Sequence, residues 1–164
     1  MRKWLLGLAL ALGLASSALA QGTQFQFPTA PWGGYAPGQI ECGRLLGANF
    51  NTTADQAIPI SVPSPIYAVE FIWVSNPSVS LTTAAGGIYS AASKGGVAVV
   101  ASSQAYSVLT TNAANTSGNG LLLTLATAGG NQTIYNVNTM YLSLTTAQGA
   151  AATADVRVVC DALY

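Results

Sequence analysis

Short apolar runs with a period of two follow one another from residue 40 to residue 160. Successive side chains of a β-strand point to opposite faces, so this period indicates strands, whereas a helix would repeat its apolar residues every three to four positions. The clearest run is 67–74, in which strict alternation predicts one face made of Tyr67, Val69, Phe71 and Trp73. The chain after residue 40 is therefore predicted to be built from strands, without a convincing helix.

Turn residues divide these runs at close intervals. Glycine pairs at 86–87 and 95–96 predict turns, and Pro59 within the run 58–62 predicts a strand at a sheet edge. We predict eight to ten short strands, drawn from the runs 40–46, 58–62, 67–74, 79–82, 97–101, 106–109, 121–125, 133–137, 140–145 and 154–160. This pattern predicts an all-β domain, an antiparallel β-sandwich with either jelly-roll or immunoglobulin-like connections.

The first twenty residues have the pattern of a secretory signal peptide. Two basic residues precede an apolar run at 4–14, and Ala18-Leu19-Ala20 provides the small residues that a signal peptidase recognises. We predict cleavage before Gln21, with an uncleaved anchor as the alternative, and expect a secreted, periplasmic or cell-surface location. The predicted organisation is a signal peptide at 1–20, an extended arm at 21–39 and a β-sandwich domain at 40–164.

The arm combines prolines and glycines with large aromatic side chains. Its prolines prevent a helix or a central strand, so the segment is predicted to be extended. We expect its aromatic side chains to lie on the surface of the domain or to contact a neighbouring copy of the chain, with a platform for sugar rings as the alternative. These candidate contact residues are Phe25, Phe27, Trp32 and Tyr35.

Cys42 and Cys160 are the two cysteines of the chain, so only one intramolecular pairing is available. Export through an oxidising compartment favours a disulfide bond between them. We predict that this bond joins the first strand of the domain to the last.

The chain carries few groups that support catalysis or nucleic-acid binding. Histidine is absent and charged residues make up 6% of the sequence, which leaves no basic surface for phosphates and no Ser–His–Asp arrangement. Glu41 and Asp161 are expected to be solvated carboxylates, with a cation site or an acid–base pair as alternatives. Asp155 and Arg157 are expected to form a surface ion pair. We predict no enzyme activity, no cofactor, no metal site and no nucleic-acid partner.

Three segments resemble parts of small bacteriophage and prophage proteins of the virion type. They are residues 76–89, 94–100 and 141–155, within a region of similarity from about 67 to 155. The resemblance implies a structural role in assembly and assigns no functional residue.

These features favour an exported structural protein that acts through protein–protein contacts, as a phage-type virion component or a surface component. A secreted module that binds carbohydrate or another surface is one alternative, and a small outer-membrane β-barrel is another. We do not expect a membrane partner in the leading interpretation.

Overall fold

A computed structural model describes residues 38–110, 120–126 and 134–164 of the chain. Within these ranges the chain forms strands and no helix, which confirms the predicted all-β class, and no helix there could cross a membrane. The strands are β1 (Gln39–Asn49), β2 (Gln56–Pro59), β3 (Ile66–Ser75), β4 (Ala85–Ala91), β5 (Gly95–Val100), β6 (Gly120–Leu122), β7 (Ile134–Tyr135), β8 (Thr139–Thr146) and β9 (Thr153–Leu163). The predicted signal peptide and most of the arm lie outside the described residues.

Two antiparallel sheets pack against each other, as predicted for a β-sandwich. Sheet A has the order β1-β9-β3-β6, with β7 also paired to β3, and sheet B has the order β2-β8-β4-β5. The early strands β1 to β4 pair in turn with β9, β8, β6 and β5, so the chain forms one long folded hairpin. This nested pairing is that of a jelly roll, the first of the two predicted connection patterns.

The core fills the space between the two sheets. Sheet A contributes the inward side chains of β3 and β9, and sheet B contributes those of β4 and β8. Phe50 and Tyr106 make an edge-to-face contact in this core with ring centroids 4.9 Å apart, and both are fully buried. Burial of this apolar surface is the main favourable term for the fold.

Strand β3 contains a bulge that the alternating pattern did not predict. Val69 pairs with Cys160 and Phe71 pairs with Val159, so Glu70 is one extra residue in β3. The bulge reverses the alternation: Tyr67 and Val69 face the core before it, and Ile72 and Val74 face the core after it. The prediction that Phe71 and Trp73 share a face with Tyr67 is therefore wrong, and both rings lie on the outer face of sheet A.

Strand β4 passes through the glycine pair that was predicted to be a turn. A Cβ atom on Gly86 would lie 2.3 Å from Leu144 Cα, and one on Gly87 would lie 2.4 Å from the Val100 carbonyl oxygen. These glycines let β4 approach its neighbours closely.

Two of the predicted strands, 79–82 and 106–109, are irregular segments in the structure. They are joined by single backbone hydrogen bonds, such as that from Leu81 N–H to the Leu109 carbonyl.

The lateral edges of the two sheets are linked by short pairings. An isolated bridge joins Gly43 to Ile60 beside β1, and another joins Val100 to Leu125 beside β5. Pro59 lies in the edge strand β2, as predicted. Part of each of these edges is therefore already paired and closed to the addition of another strand.

Candidate functional site

The predicted disulfide bond is present and joins β1 to β9. Cys42 and Cys160 are bonded with their Cα atoms 5.6 Å apart, and both side chains belong to the buried core. The bond thus connects the first strand of the domain to the last. A disulfide is consistent with an oxidising extracellular or periplasmic location.

The strand register places outward residues of sheet A in straight rows across the sheet. One row runs Arg44, Arg157, Trp73 and Leu122 on β1, β9, β3 and β6. The middle row runs Glu41, Val159 and Phe71 on β1, β9 and β3. A third row runs Gln39, Asp161, Ala68 and Ile134 on β1, β9, β3 and β7. In each row the polar or charged residues lie towards β1 and the apolar residues lie towards β3.

Glu41 connects the two arginines of the charged half. Its Oε1 accepts a hydrogen bond from Arg44 Nε at 2.5 Å, and its Oε2 lies 3.3 Å from Arg157 Nη1. Arg44 and Arg157 are direct cross-strand partners, so their positive charges would repel each other without the carboxylate between them. The Glu41 side chain is only 12% exposed, which corrects the expectation of a solvated carboxylate.

Asp155 contacts the irregular part of β1 and the residue that follows β3 instead of pairing with Arg157. Its Oδ1 accepts a hydrogen bond from Gly47 N–H at 2.8 Å, and its Oδ2 accepts one from Asn76 Nδ2 at 3.0 Å. Arg157 is directed to Glu41 on the neighbouring strand. The predicted ion pair between these two β9 residues therefore does not form. Asp155 contacts one residue on each side of β9, and Arg157 contacts Glu41.

The other half of the outer face is mainly apolar, with Glu70 as an exposed charged residue at the bulge of β3. Ile66, Leu122 and Ile134 are 42%, 53% and 53% exposed, and half-buried aromatic and small side chains lie between them. We define the apolar strip as Ile66, Ala68, Phe71, Trp73, Leu122 and Ile134. Three exposed large aliphatic side chains on one face of one sheet are a feature of contact surfaces, since exposed apolar residues are usually scattered singly.

Trp73 depends on a glycine in the neighbouring strand. A Cβ atom on Gly120 would lie 1.7 to 2.3 Å from three atoms of the indole ring. The ring therefore lies directly against the backbone of β6, and no side chain larger than hydrogen fits beneath it. Gly120 fixes the position of the largest side chain in the apolar strip.

Sheet B contributes a second polar contact, at Asp55. Its carboxylate accepts a hydrogen bond from Ser93 N–H in the β4–β5 turn, where Ser93 and Lys94 have positive φ angles of 58° and 56°. This bond is the main cause that lowers the pKa of Asp55, and the positive charge of Lys94 adds a smaller contribution in the same direction. Ser143 Oγ is buried and has no hydrogen-bond partner among the described residues.

Tyrosine hydroxyls in the core are neutral groups. Burial raises the pKa of Tyr67 to about 12, and its hydroxyl donates a hydrogen bond to the Val137 carbonyl at 2.8 Å. Burial also raises the pKa of Tyr106, whose hydroxyl donates to the Gly86 carbonyl at 3.3 Å. Both hydroxyls therefore satisfy core carbonyls, and the geometry gives them a structural role.

Among the predicted site residues, Cys42 and Cys160 lie in the described chain, and Phe25, Phe27, Trp32 and Tyr35 lie outside it. The ion-paired group Glu41, Arg44 and Arg157 was missed. The cysteine pairing was an available signal, because antiparallel strands joined at Cys42 and Cys160 place Arg44 within one residue of Arg157. Across the described ranges, no group of three or more His, Cys, Asp or Glu residues is arranged to hold a metal ion.

Searches with the whole chain against protein-family models, curated proteins and solved structures each gave no match.

Proposed function

We propose that this protein is an exported structural component that acts through protein–protein contacts, in a virion-type or surface assembly. The observation that carries the proposal is the distribution of charge. Six of the eight charged residues after position 20 belong to β1, β3 and β9, while β2, β4, β5 and β8 contain none. An uncharged surface can be buried against another protein without the cost of removing ions from water.

The outer face of sheet B illustrates such a surface. Ala57, Tyr141, Tyr89 and Ala98 form one row across its four strands. Tyr89 is buried within this row, so Ala57, Tyr141 and Ala98 are the members that a partner could reach. The row contains no charge that a partner would have to neutralise.

The jelly-roll pairing is compatible with this role. Jelly rolls occur in viral capsid proteins and in lectins, so the fold supports both an assembly function and the carbohydrate alternative. A fold alone does not specify a function. The charge distribution and the apolar strip are the features that favour protein contacts.

Light scattering and sedimentation of the mature chain, residues 21–164, test the proposal. We expect the mean mass to rise with protein concentration and to change little between low and high salt, because uncharged contacts are not screened. A strictly monomeric protein at millimolar concentration would contradict the proposal.

The aromatic arm can be tested with matched variants. We expect Phe25→Ser/Phe27→Ser to weaken self-association, because it removes two large apolar side chains from the arm. Gln24→Ser/Gln26→Ser is the control, since it changes the same segment without removing an aromatic ring. Equal behaviour of the two variants would remove the arm from the contact surface.

A further inference from the structure

We infer that the tip of the β4–β5 hairpin, residues 90–97, is a strap that closes over the outer face of sheet B and controls access to it. The inference rests on the proposed function and names a regulation of that contact surface. Its basis is one hydrogen bond that spans strand β8, together with the side chains that lie beneath it.

The strap crosses β8. Asp55 directly precedes β2, and its carboxylate accepts the hydrogen bond from Ser93 N–H at the tip of the strap. Because β8 lies between β2 and β4 in sheet B, this bond joins segments on opposite sides of β8. The register of β2 on β8 places Asp55 beside Ser143. Strand β4 pairs with Ser143 at Gly87 and then runs away from it, so the strap must bend back over β8 to reach Asp55.

Irregular pairing between β4 and β5 supplies the bend. Their register shifts on both sides of Tyr89, and such bulges bend a strand. At the base of the strap, Val97 N–H donates a hydrogen bond to Ser90 Oγ at 2.8 Å. The strap is therefore a closed hairpin that can turn as one unit about the bulges.

Two outward side chains of sheet B are buried beneath the strap. Ser143 lies between the core residues Leu142 and Leu144, so its side chain points outward, yet it is 0% exposed. Tyr89 is only 6% exposed and does not belong to the core cluster. Residues 91–94 of the strap are themselves exposed. A strap folded over β8 accounts for this order, with exposed residues above and buried outward residues below.

The closed strap carries two unfavourable features. Ser93 and Lys94 have φ angles of 58° and 56°, a left-handed conformation that residues with a side chain rarely adopt. Ser143 Oγ is buried without a hydrogen-bond partner among the described residues, which destabilises the state that buries it. Both are relieved when the strap lifts, because the turn can relax and water can reach the hydroxyl. The bond to Asp55 and the attraction between Asp55 and Lys94 oppose this opening.

Opening of the strap changes what sheet B offers to a partner. Tyr89 pairs with Tyr141 in the row that crosses the outer face, but only the open strap exposes it. Asp55 and Lys94 are the two charged residues after position 20 that lie outside β1, β3 and β9, so the latch contains the charges nearest to this uncharged row. A second copy of the chain that contacts Tyr89 binds only the open state and shifts the equilibrium towards it.

Hydrogen exchange followed by mass spectrometry measures the opening. We expect the amides of residues 90–97 to exchange faster than those of β3 and β9, because the strap opens without unfolding the core. Asp55→Ala removes the acceptor and should raise exchange in the strap about tenfold, whereas Ser143→Ala removes the unpartnered hydroxyl and should lower it about fivefold. Asp161→Ala is the control, because it removes a carboxylate from sheet A and should leave the strap unchanged.

Sedimentation equilibrium of the same variants tests the control of assembly. Asp55→Ala should associate more tightly than the native chain and Ser143→Ala more weakly, because only open molecules present Tyr89. A strap that exchanges no faster than β9, or that exchanges equally in both variants, would overturn the inference. Exchange that responds while self-association stays the same would also overturn it and would leave the proposed function standing. A monomer in every variant would overturn both.

Discussion

Removal of the disulfide bond should cost a large part of the stability of this protein. Cys42 and Cys160 are 118 residues apart, so the bond closes most of the domain into one loop. The loop-entropy relation gives about 5 kcal/mol for a loop of this length, because the cross-link restricts the unfolded chain. Domains of this size are commonly stable by only about 5–15 kcal/mol. The variant Cys42→Ala/Cys160→Ala should therefore lose at least a third of its free energy of unfolding.

Urea unfolding followed by circular dichroism measures this loss. The control is Val156→Ala in β9, which removes buried volume from the same core without opening the cross-link and should cost about 2 kcal/mol. Because the entropic effect acts on the unfolded state, the cysteine variant should mainly fold more slowly and should also show a larger m-value.

Two results would refute this reasoning. A loss below about 2 kcal/mol would show that the unfolded chain is already restricted without the bond. A loss that appears mainly as faster unfolding would show that the bond acts on the native state.

Three further perturbations test other parts of the structure. Glu41→Gln leaves two opposed arginines on neighbouring strands and should lower the free energy of unfolding by about 1 kcal/mol, with a larger effect at low salt, as measured by chemical denaturation. Gly86→Ala should cost about 3 kcal/mol in the same assay, because the new methyl group meets the backbone of β8, whereas Gly149→Ala, which has open space and a positive φ of 83°, should cost about 1 kcal/mol. Asp55→Asn should be less stable than the native chain at pH 5–7. Because the folded-state pKa of Asp55 is lowered, its stabilisation is present above pH 3.8 and is lost below it, so the two thermal unfolding curves should converge in acid; a constant difference would contradict this.

The sequence predicted the fold class because alternation and turn residues are local signals. It failed at β3 because a bulge depends on the neighbouring strand: Glu70 is the extra residue only when β3 is aligned with β9. It failed at β4 for a related reason. Gly86 and Gly87 resemble a turn locally, but in the structure they allow β4 to lie close to β8 and β5. The sequence of β4 alone does not indicate which strands will lie beside it.

The candidate surface was only partly predictable for the same reason. Phe71 and Trp73 were assigned to the same face as Tyr67, whereas the structure places Tyr67 in the core and both other rings on the outer face. The apolar strip becomes visible only when the bulge turns both rings outward beside Leu122 and Ile134, which belong to strands distant in the sequence. Contact surfaces assembled from several strands depend on register, and register is a property of the whole fold.

The position of the disulfide determines how this protein would carry mechanical force. A pull on the chain at Gly38 reaches Cys42 after four residues and passes through the sulfur atoms into Cys160, four residues before Tyr164. Tension between these two positions therefore bypasses the rest of the domain, which cannot be unravelled while the bond is intact. Only reduction would release the enclosed segment, adding about 400 Å of extended chain at about 3.5 Å per residue. A domain with this connection keeps a nearly constant length when tension is applied between these two positions.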